Sequence, residues 1–194
     1  MQNMRLFIAI ELPPEVKAAL GSLETQLKKG GHRFVKWVDP ENIHITLKFL
    51  GATPVEDIKG ITEALATVAQ RTEPLFLHLG GLGCFPNWQR PQIIWVGLGG
   101  EIEKLADLQR DVETVMYPLG FDRESRVFVP HLTIARIKGG SRQDIQAFGE
   151  NVSTTEFAED LDIEVDELNL IESTLTRSGP IYSCLAAATL IGKS

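Results

Sequence analysis

The pattern of hydrophobic and polar positions predicts the same order of strands and helices twice along the chain. Residues 6–12 and, 87 positions later, residues 93–99 are short runs rich in β-branched and aromatic side chains, which is typical of strands. Each run precedes a segment whose apolar residues recur at the spacing of one helix face, and Pro14 suits the first turn of the first helix. The pattern therefore predicts two successive strand–helix units.

The same offset of 87 residues separates two extended segments of matching composition, His-Ile-Thr-Leu at 44–47 and His-Leu-Thr-Ile at 131–134. A second helix start follows ten residues after each histidine, at Pro54 and at Ser141, and serine is favoured as an N-cap. Further strands are predicted at 75–79, 92–98, 163–172 and 181–190. Because the run at 92–98 can end one half and begin the next, we expect the halves to be interwoven.

These elements together predict an α+β fold. We expect a duplicated, pseudo-two-fold, bilobal arrangement in which antiparallel sheets line a central cleft and helices pack outside them. The whole chain, residues 1–194, is then a single two-lobed domain made of two interwoven repeats.

Composition and charge narrow the classes of function. The 194 residues are 43% hydrophobic and 23% charged, which excludes a disordered chain. The formal net charge of −7 repels polyanions, so we expect any nucleic acid to be held locally, through few phosphates. Cys84 and Cys184 form no CxxC pair, which favours a reduced intracellular protein, and no apolar run reaches the length of a signal core or membrane span. We expect a cytoplasmic monomer without membrane contact.

The first His-x-Thr segment has a polar face. Successive side chains on a strand point to opposite sides, so His44, Thr46 and Lys48 share one face and Ile45, Leu47 and Phe49 the other. Core packing is the expected role of Phe49 on that apolar face, with stacking on a nucleobase as the alternative. Polar groups buried without partners cost about 1–3 kcal/mol each, so the polar face requires water or a ligand.

The second segment places His131 and Thr133 on one face. Strict alternation puts Arg136 on the opposite face, and Arg136 reaches the histidine side only if the strand ends, twists or bulges after Thr133. Lys48 satisfies the alternation, although its counterpart in the second copy is Ala135. Alternation therefore favours Lys48 as the cation of the site.

Two imidazoles and two hydroxyls converging on one cleft would suit acid–base chemistry at a phosphodiester. One neutral histidine can take a proton while a charged partner gives one, and in-line displacement at phosphorus puts the attacking and leaving oxygens on opposite sides. Threonine hydroxyls and a nearby cation would bind the phosphate oxygens. The four histidines show no metal-ligand spacing, so we expect neither a metal nor a cofactor.

Motifs across nearly the whole chain resemble one family. The sequences HITLKFLG at 44–51 and PHLTIAR at 130–136, with FIAIELP at 7–13 and LGCFP at 82–86, resemble the two-histidine phosphoesterase superfamily, as do the later Glu172-Ser173, Gly179 and Tyr182. Within it the chain is most similar to the RNA 2′,3′-cyclic phosphodiesterase family, also named 2′-5′ RNA ligase.

The resemblance implies a metal-independent enzyme that opens a ribose 2′,3′-cyclic phosphate at the 3′ oxygen and leaves a 2′-phosphate. It implies that His44 is the proton donor and His131 the proton acceptor, an assignment that the symmetry of the sequence leaves open. It also implies that Arg136 contacts phosphate or nucleotide. The alternatives are a non-catalytic module that binds RNA ends, a 2′-5′ RNA ligase, and a phosphodiesterase for small cyclic phosphates.

Overall fold

The computed structural model of the chain describes residues 2–157, 161–177 and 179–192. Four α-helices are present in these ranges: α1 (Pro14–Lys28), α2 (Ile58–Arg71), α3 (Ile102–Met116) and α4 (Arg142–Ser153). The strands are β1 (Asn3–Ile10), β2 (Val35–Trp37), β3 (Ile45–Pro54), β4 (Leu75–Phe85), β5 (Ile93–Gly100), β6 (His131–Ile137), β7 (Asp162–Val165), β8 (Glu167–Leu175) and β9 (Pro180–Thr189).

The helix starts follow the signals present in the sequence. Pro14 occupies the first turn of α1, where its missing N–H costs no hydrogen bond. Ser141 caps α4, and its hydroxyl accepts a hydrogen bond from the Asp144 N–H at 3.1 Å. The predicted helix after Pro54 begins with a single 3₁₀ turn, Val55–Asp57, before α2. The predicted roles of Pro14 and Ser141 are both confirmed.

The strands form two antiparallel sheets. Sheet A has the order β3-β1-β8-β9 and sheet B the order β2-β6-β5-β4-β7, so each sheet takes strands from both halves of the chain. The single strand predicted at 163–172 is wrong in one respect: it is divided at Asp166 into β7, at the edge of sheet B, and β8, inside sheet A. The predicted α+β fold with two repeated units is confirmed.

One continuous core fills the helix side of both sheets. It contains the buried faces of all four helices and residues from every strand except β9, which contributes only partly buried alanines. A second, small apolar cluster of Phe7, Ala9 and Ile171 lies on the other face of sheet A, with Tyr182 packed against it. The opposite faces of the sheets therefore differ, and the polar His-x-Thr side chains lie on the faces turned away from the main core. No helix in the described ranges is long and apolar enough to cross a lipid bilayer.

Candidate active site

His44 precedes β3 and is held among aromatic rings. Its imidazole stacks on the Phe7 ring, with centroids 4.7 Å apart, and meets the Tyr182 ring edge-on at 5.2 Å. The ring donates a hydrogen bond to the backbone carbonyl of Asn42. These contacts fix the plane of the His44 imidazole on the cleft face of sheet A, the face that carries the small apolar cluster.

His131 begins β6 and has a parallel environment on sheet B. Its Nδ1 lies 2.6 Å from the carbonyl oxygen of Val129, and the rings of Phe85 and Trp95 lie 5.1 and 6.0 Å from its centroid. The residues that bond the two rings, Asn42 and Val129, each precede their histidine by two positions. With Nδ1 of His131 donating to a carbonyl, its Nε2 is left as the nitrogen that can exchange a proton with a ligand.

Thr46 and Thr133 lie two residues beyond the histidines and share the histidines' faces of the sheets, as alternation along a strand predicts. Both are half-buried, and neither hydroxyl makes a hydrogen bond to another described residue. Half-buried hydroxyls without a protein partner are positioned to bind polar atoms of a ligand.

Each His-x-Thr strand carries a β-bulge at the same place. In β3 the register with β1 skips Leu47, and in β6 the register with β5 skips Ile134. Each bulge residue is three positions after its histidine. Its carbonyl accepts a hydrogen bond from a group outside the two paired strands: the Leu47 carbonyl from Gln109 Nε2 at 3.4 Å and the Ile134 carbonyl from the Val38 N–H at 2.9 Å. A bulge adds one residue, so the faces exchange beyond it.

The bulge at Leu47 overturns the prediction that Lys48 shares a face with His44. Lys48 is 5% exposed and turned into the protein, where its Nζ lies 2.6 Å from Glu113 Oε2 and donates to the Asp122 carbonyl at 2.7 Å. Strict alternation failed because Leu47 is an extra residue in β3 that has no pairing partner in β1. We therefore remove Lys48 from the candidate ligand-binding residues.

The same exchange of faces brings Phe49 and Arg136 to the cleft side. The expectation that Phe49 packs in the core is wrong: it is 69% exposed and its ring lies 6.1 Å from that of Phe7. Arg136 is exposed and lies on the same face as His131. The bulge at Ile134 is the irregularity after Thr133 that Arg136 needed to reach this face. Phe49 and Arg136 are also 87 residues apart, so the repeat offers an aromatic ring in one half and a guanidinium in the other.

Two features connect the sheets at this site. The segment before His44 is anchored on the strand of His131, because β2 pairs with β6 and Val38 bonds Ile134. Tyr182 touches the His44 ring, and the positive charge of Arg136 acts on its phenol. Tyr182 and Arg136 therefore link the surroundings of His44 on sheet A to the strand of His131 on sheet B.

Comparison with known proteins gives the same family from independent observations. The sequence model of the family described as LigT like Phosphoesterase matches twice, at residues 10–95 and 96–182. The chain belongs to the LigT-like phosphoesterase family. Two relatives named RNA 2′,3′-cyclic phosphodiesterase are similar to it. The one from Aquifex aeolicus is 39% identical over 76% of this chain and 78% of its own length, and the one from Methanocaldococcus jannaschii is 33% identical over 94% and 98%.

A solved structure supports the fold of this LigT-like chain. The crystal structure of TT0787 from Thermus thermophilus superimposes with a TM-score of 0.79 at 30% identity, covering 98% of this chain and all of that one. The resemblance carried by the two His-x-Thr motifs is thereby confirmed at the level of the family.

Burial sets the charge of His44 in this LigT-like site. Desolvation of the ring lowers the pKa of His44 to about 4, with a smaller effect in the same direction from the nearby Lys17 ammonium, while the Asn42 carbonyl acts to raise it. His44 is therefore neutral near pH 7 in the free protein. Burial raises the pKa of the Tyr182 phenol, against the charges of Arg136 and Arg5.

Four aromatic rings of the cleft, those of Phe7, Tyr182, Phe85 and Trp95, have no role that was predicted from the sequence. A glycine could have indicated one of them: a Cβ at Gly83 would lie far inside contact distance of the Trp95 indole, so the ring requires glycine beneath it. Among the residues that the structure describes, no three His, Cys, Asp or Glu side chains are grouped so that they could hold a metal ion.

Proposed function

We propose that this chain hydrolyses the 2′,3′-cyclic phosphate of an RNA end or nucleotide at the 3′ oxygen and leaves a 2′-phosphate. The observation that carries the proposal is the pair of ring-anchored histidines, each followed at two residues by a threonine hydroxyl without a partner in the described ranges, on the cleft faces of the two sheets. The name shared by the two relatives supports the choice of substrate.

In this mechanism His131 accepts a proton from water as the water oxygen attacks phosphorus. The P–O3′ bond breaks on the opposite side, and His44 gives its proton to the departing 3′ oxygen. One water is added in total, and the two histidines finish with their protonation states exchanged. Thr46 and Thr133 donate hydrogen bonds to the non-bridging oxygens, where negative charge grows in the transition state.

The lowered pKa of His44 makes its proton dependent on the substrate. A phosphate anion beside the ring favours the imidazolium and raises the pKa, so substrate binding itself supplies the charged form that acts as acid. Protonation of the acid is therefore favoured when a substrate phosphate lies beside it.

Phe49 and Arg136 hold the nucleotide in this proposal. The exposed Phe49 ring offers a surface on which a base can stack, and the Arg136 guanidinium offers a cation for the phosphate.

The test is turnover of a nucleoside 2′,3′-cyclic phosphate in the presence of EDTA, with the product identified by ³¹P NMR. We expect full activity with the chelator and a 2′-phosphate as the only product. His44→Ala and His131→Ala should each lower kcat by about 10²- to 10⁴-fold, because each removes a positioned proton-transfer group.

His78→Ala is the matched control, because His78 is an exposed histidine of β4, two strands from β6 and paired with Gly99 and Asp162, and its removal should leave kcat unchanged. Loss of turnover with EDTA would contradict the metal-free mechanism. Binding without any hydrolysis would favour the RNA-end binding module instead. We also propose that the protein is a cytoplasmic monomer. Sedimentation velocity, which measures the mass in solution, tests the monomer.

A further inference from the structure

Two cations lie side by side on the cleft face of sheet B. Lys36 of β2 is the register partner of Arg136 of β6, and both side chains are exposed. Register partners in an antiparallel pair point to the same face, with Cβ atoms about 5 Å apart. Val35 and Trp37, which flank Lys36, pack against the core, so Lys36 points to the same side as His131 and Thr133.

Neither side chain of this pair forms an ion pair with a described residue. Like charges directly opposite each other on a sheet are destabilising and attract an anion that bridges them. In a chain with a net charge of −7 this is a local exception to a surface that repels polyanions. The exposed Lys138, directly after β6, adds a third cation.

The position of Lys36 relative to the site fixes what the anion would be. Along β6 the order is His131, Thr133, Arg136, so Arg136 lies outward from the reacting phosphate. Lys36 lies one strand further, and β2 is the edge strand of sheet B. A ligand that bridges from Arg136 to Lys36 is therefore leaving the cleft over the sheet edge.

We propose that Lys36, next to Arg136, binds the phosphodiester that joins the terminal nucleotide to the one before it, and so adds affinity for a longer substrate through a contact that a nucleoside cannot use. This inference rests on the proposed function and adds a binding residue to that same site. A 5′-phosphate on a cyclic mononucleotide offers similar chemistry, and the experiment separates the two sources.

The test compares three substrates that all end in a 2′,3′-cyclic phosphate: a nucleoside, the same nucleoside with a 5′-phosphate, and a dinucleotide. Lys36→Ala should raise KM for the dinucleotide about two- to fivefold, as expected for an exposed charge pair, and lower its log–log salt slope by about 1. KM for the plain nucleoside and kcat for all three should not change. Lys36→Arg should restore the KM of the dinucleotide.

Lys59→Ala is the matched control, because Lys59 is a strongly exposed lysine on α2, away from the cleft. Binding of the corresponding 2′-phosphate products, measured by calorimetry, gives a readout that does not need turnover. Wild-type failure on every substrate would overturn the proposed function.

The subsite would be overturned by an unchanged dinucleotide affinity or by an equal loss on all three ligands. A loss confined to the 5′-phosphorylated nucleoside would overturn the assignment of Lys36 to an internucleotide phosphodiester.

Discussion

The buried ion pair between Lys48 and Glu113 permits a stability prediction with a definite size. The Lys48 side chain is 4% and the Glu113 side chain 10% exposed, and their charged atoms are 2.6 Å apart. Gln109 Nε2 donates to Glu113 Oε1 at 3.2 Å, and the Glu124 N–H lies 3.3 Å from Oε2. The carboxylate is thus held by groups from β3, α3 and the loop that leads to His131.

Lys48→Met removes the cation and leaves a carboxylate buried without its counter-ion. Breaking one partner of such a pair costs about 3–5 kcal/mol, whereas removing both charges together costs far less. We expect Lys48→Met to lower the free energy of unfolding by that amount, or Tm by about 6–20 °C. The double variant Lys48→Met with Glu113→Gln should recover about 2 kcal/mol, since the glutamine carries no charge and its amide oxygen still accepts one of the two neighbouring hydrogen bonds.

Urea unfolding followed by circular dichroism measures these differences. Arg71→Met is the control, because the Arg71–Asp111 pair is half-exposed at 3.6 Å and should contribute less than about 1 kcal/mol. If Lys48→Met costs no more than Arg71→Met, or if the double variant is no more stable than the single one, an uncompensated buried charge is not what destabilises the protein and the reasoning is refuted.

Two further predictions concern His44 and Phe49. The folded-state pKa of His44, about 4, lies below its unfolded value near 6.5, so its stabilising contribution is complete above about pH 6.5 and is lost as the pH falls toward 4. The free energy of unfolding should fall by about 2 kcal/mol between about pH 7 and about pH 5 through this group alone. His44→Asn should flatten the curve by that amount in urea titrations, and parallel curves would contradict it. Phe49→Ala should raise KM for a cyclic nucleotide by the equivalent of about 1–3 kcal/mol of binding free energy. It should change the free energy of unfolding by less than about 1 kcal/mol, because the ring is 69% exposed. Phe76→Ala, an exposed phenylalanine on β4, is its control; an unchanged KM in Phe49→Ala would argue against stacking.

Local sequence determined much of the fold and part of the site. Proline at a helix start and a serine N-cap are properties of neighbouring residues, and both are present where the pattern put them. The offset of 87 residues by itself paired His44 with His131 and Thr46 with Thr133. The helix starts depend on backbone and side-chain preferences that act within a few residues, and the paired motifs depend only on the repeat in the sequence.

Tertiary structure decided which cation and which aromatic ring reach the cleft. A bulge is a mismatch between two paired strands, so the skipped residues Leu47 and Ile134 exist only relative to β1 and β5. Those two skipped residues turn Lys48 inward and bring Phe49 and Arg136 outward, against strict alternation. The pairing of Lys36 with Arg136 likewise required β2 and β6, about 100 residues apart in sequence, to become neighbours. Side-chain period is a local property, whereas register belongs to the pair of strands.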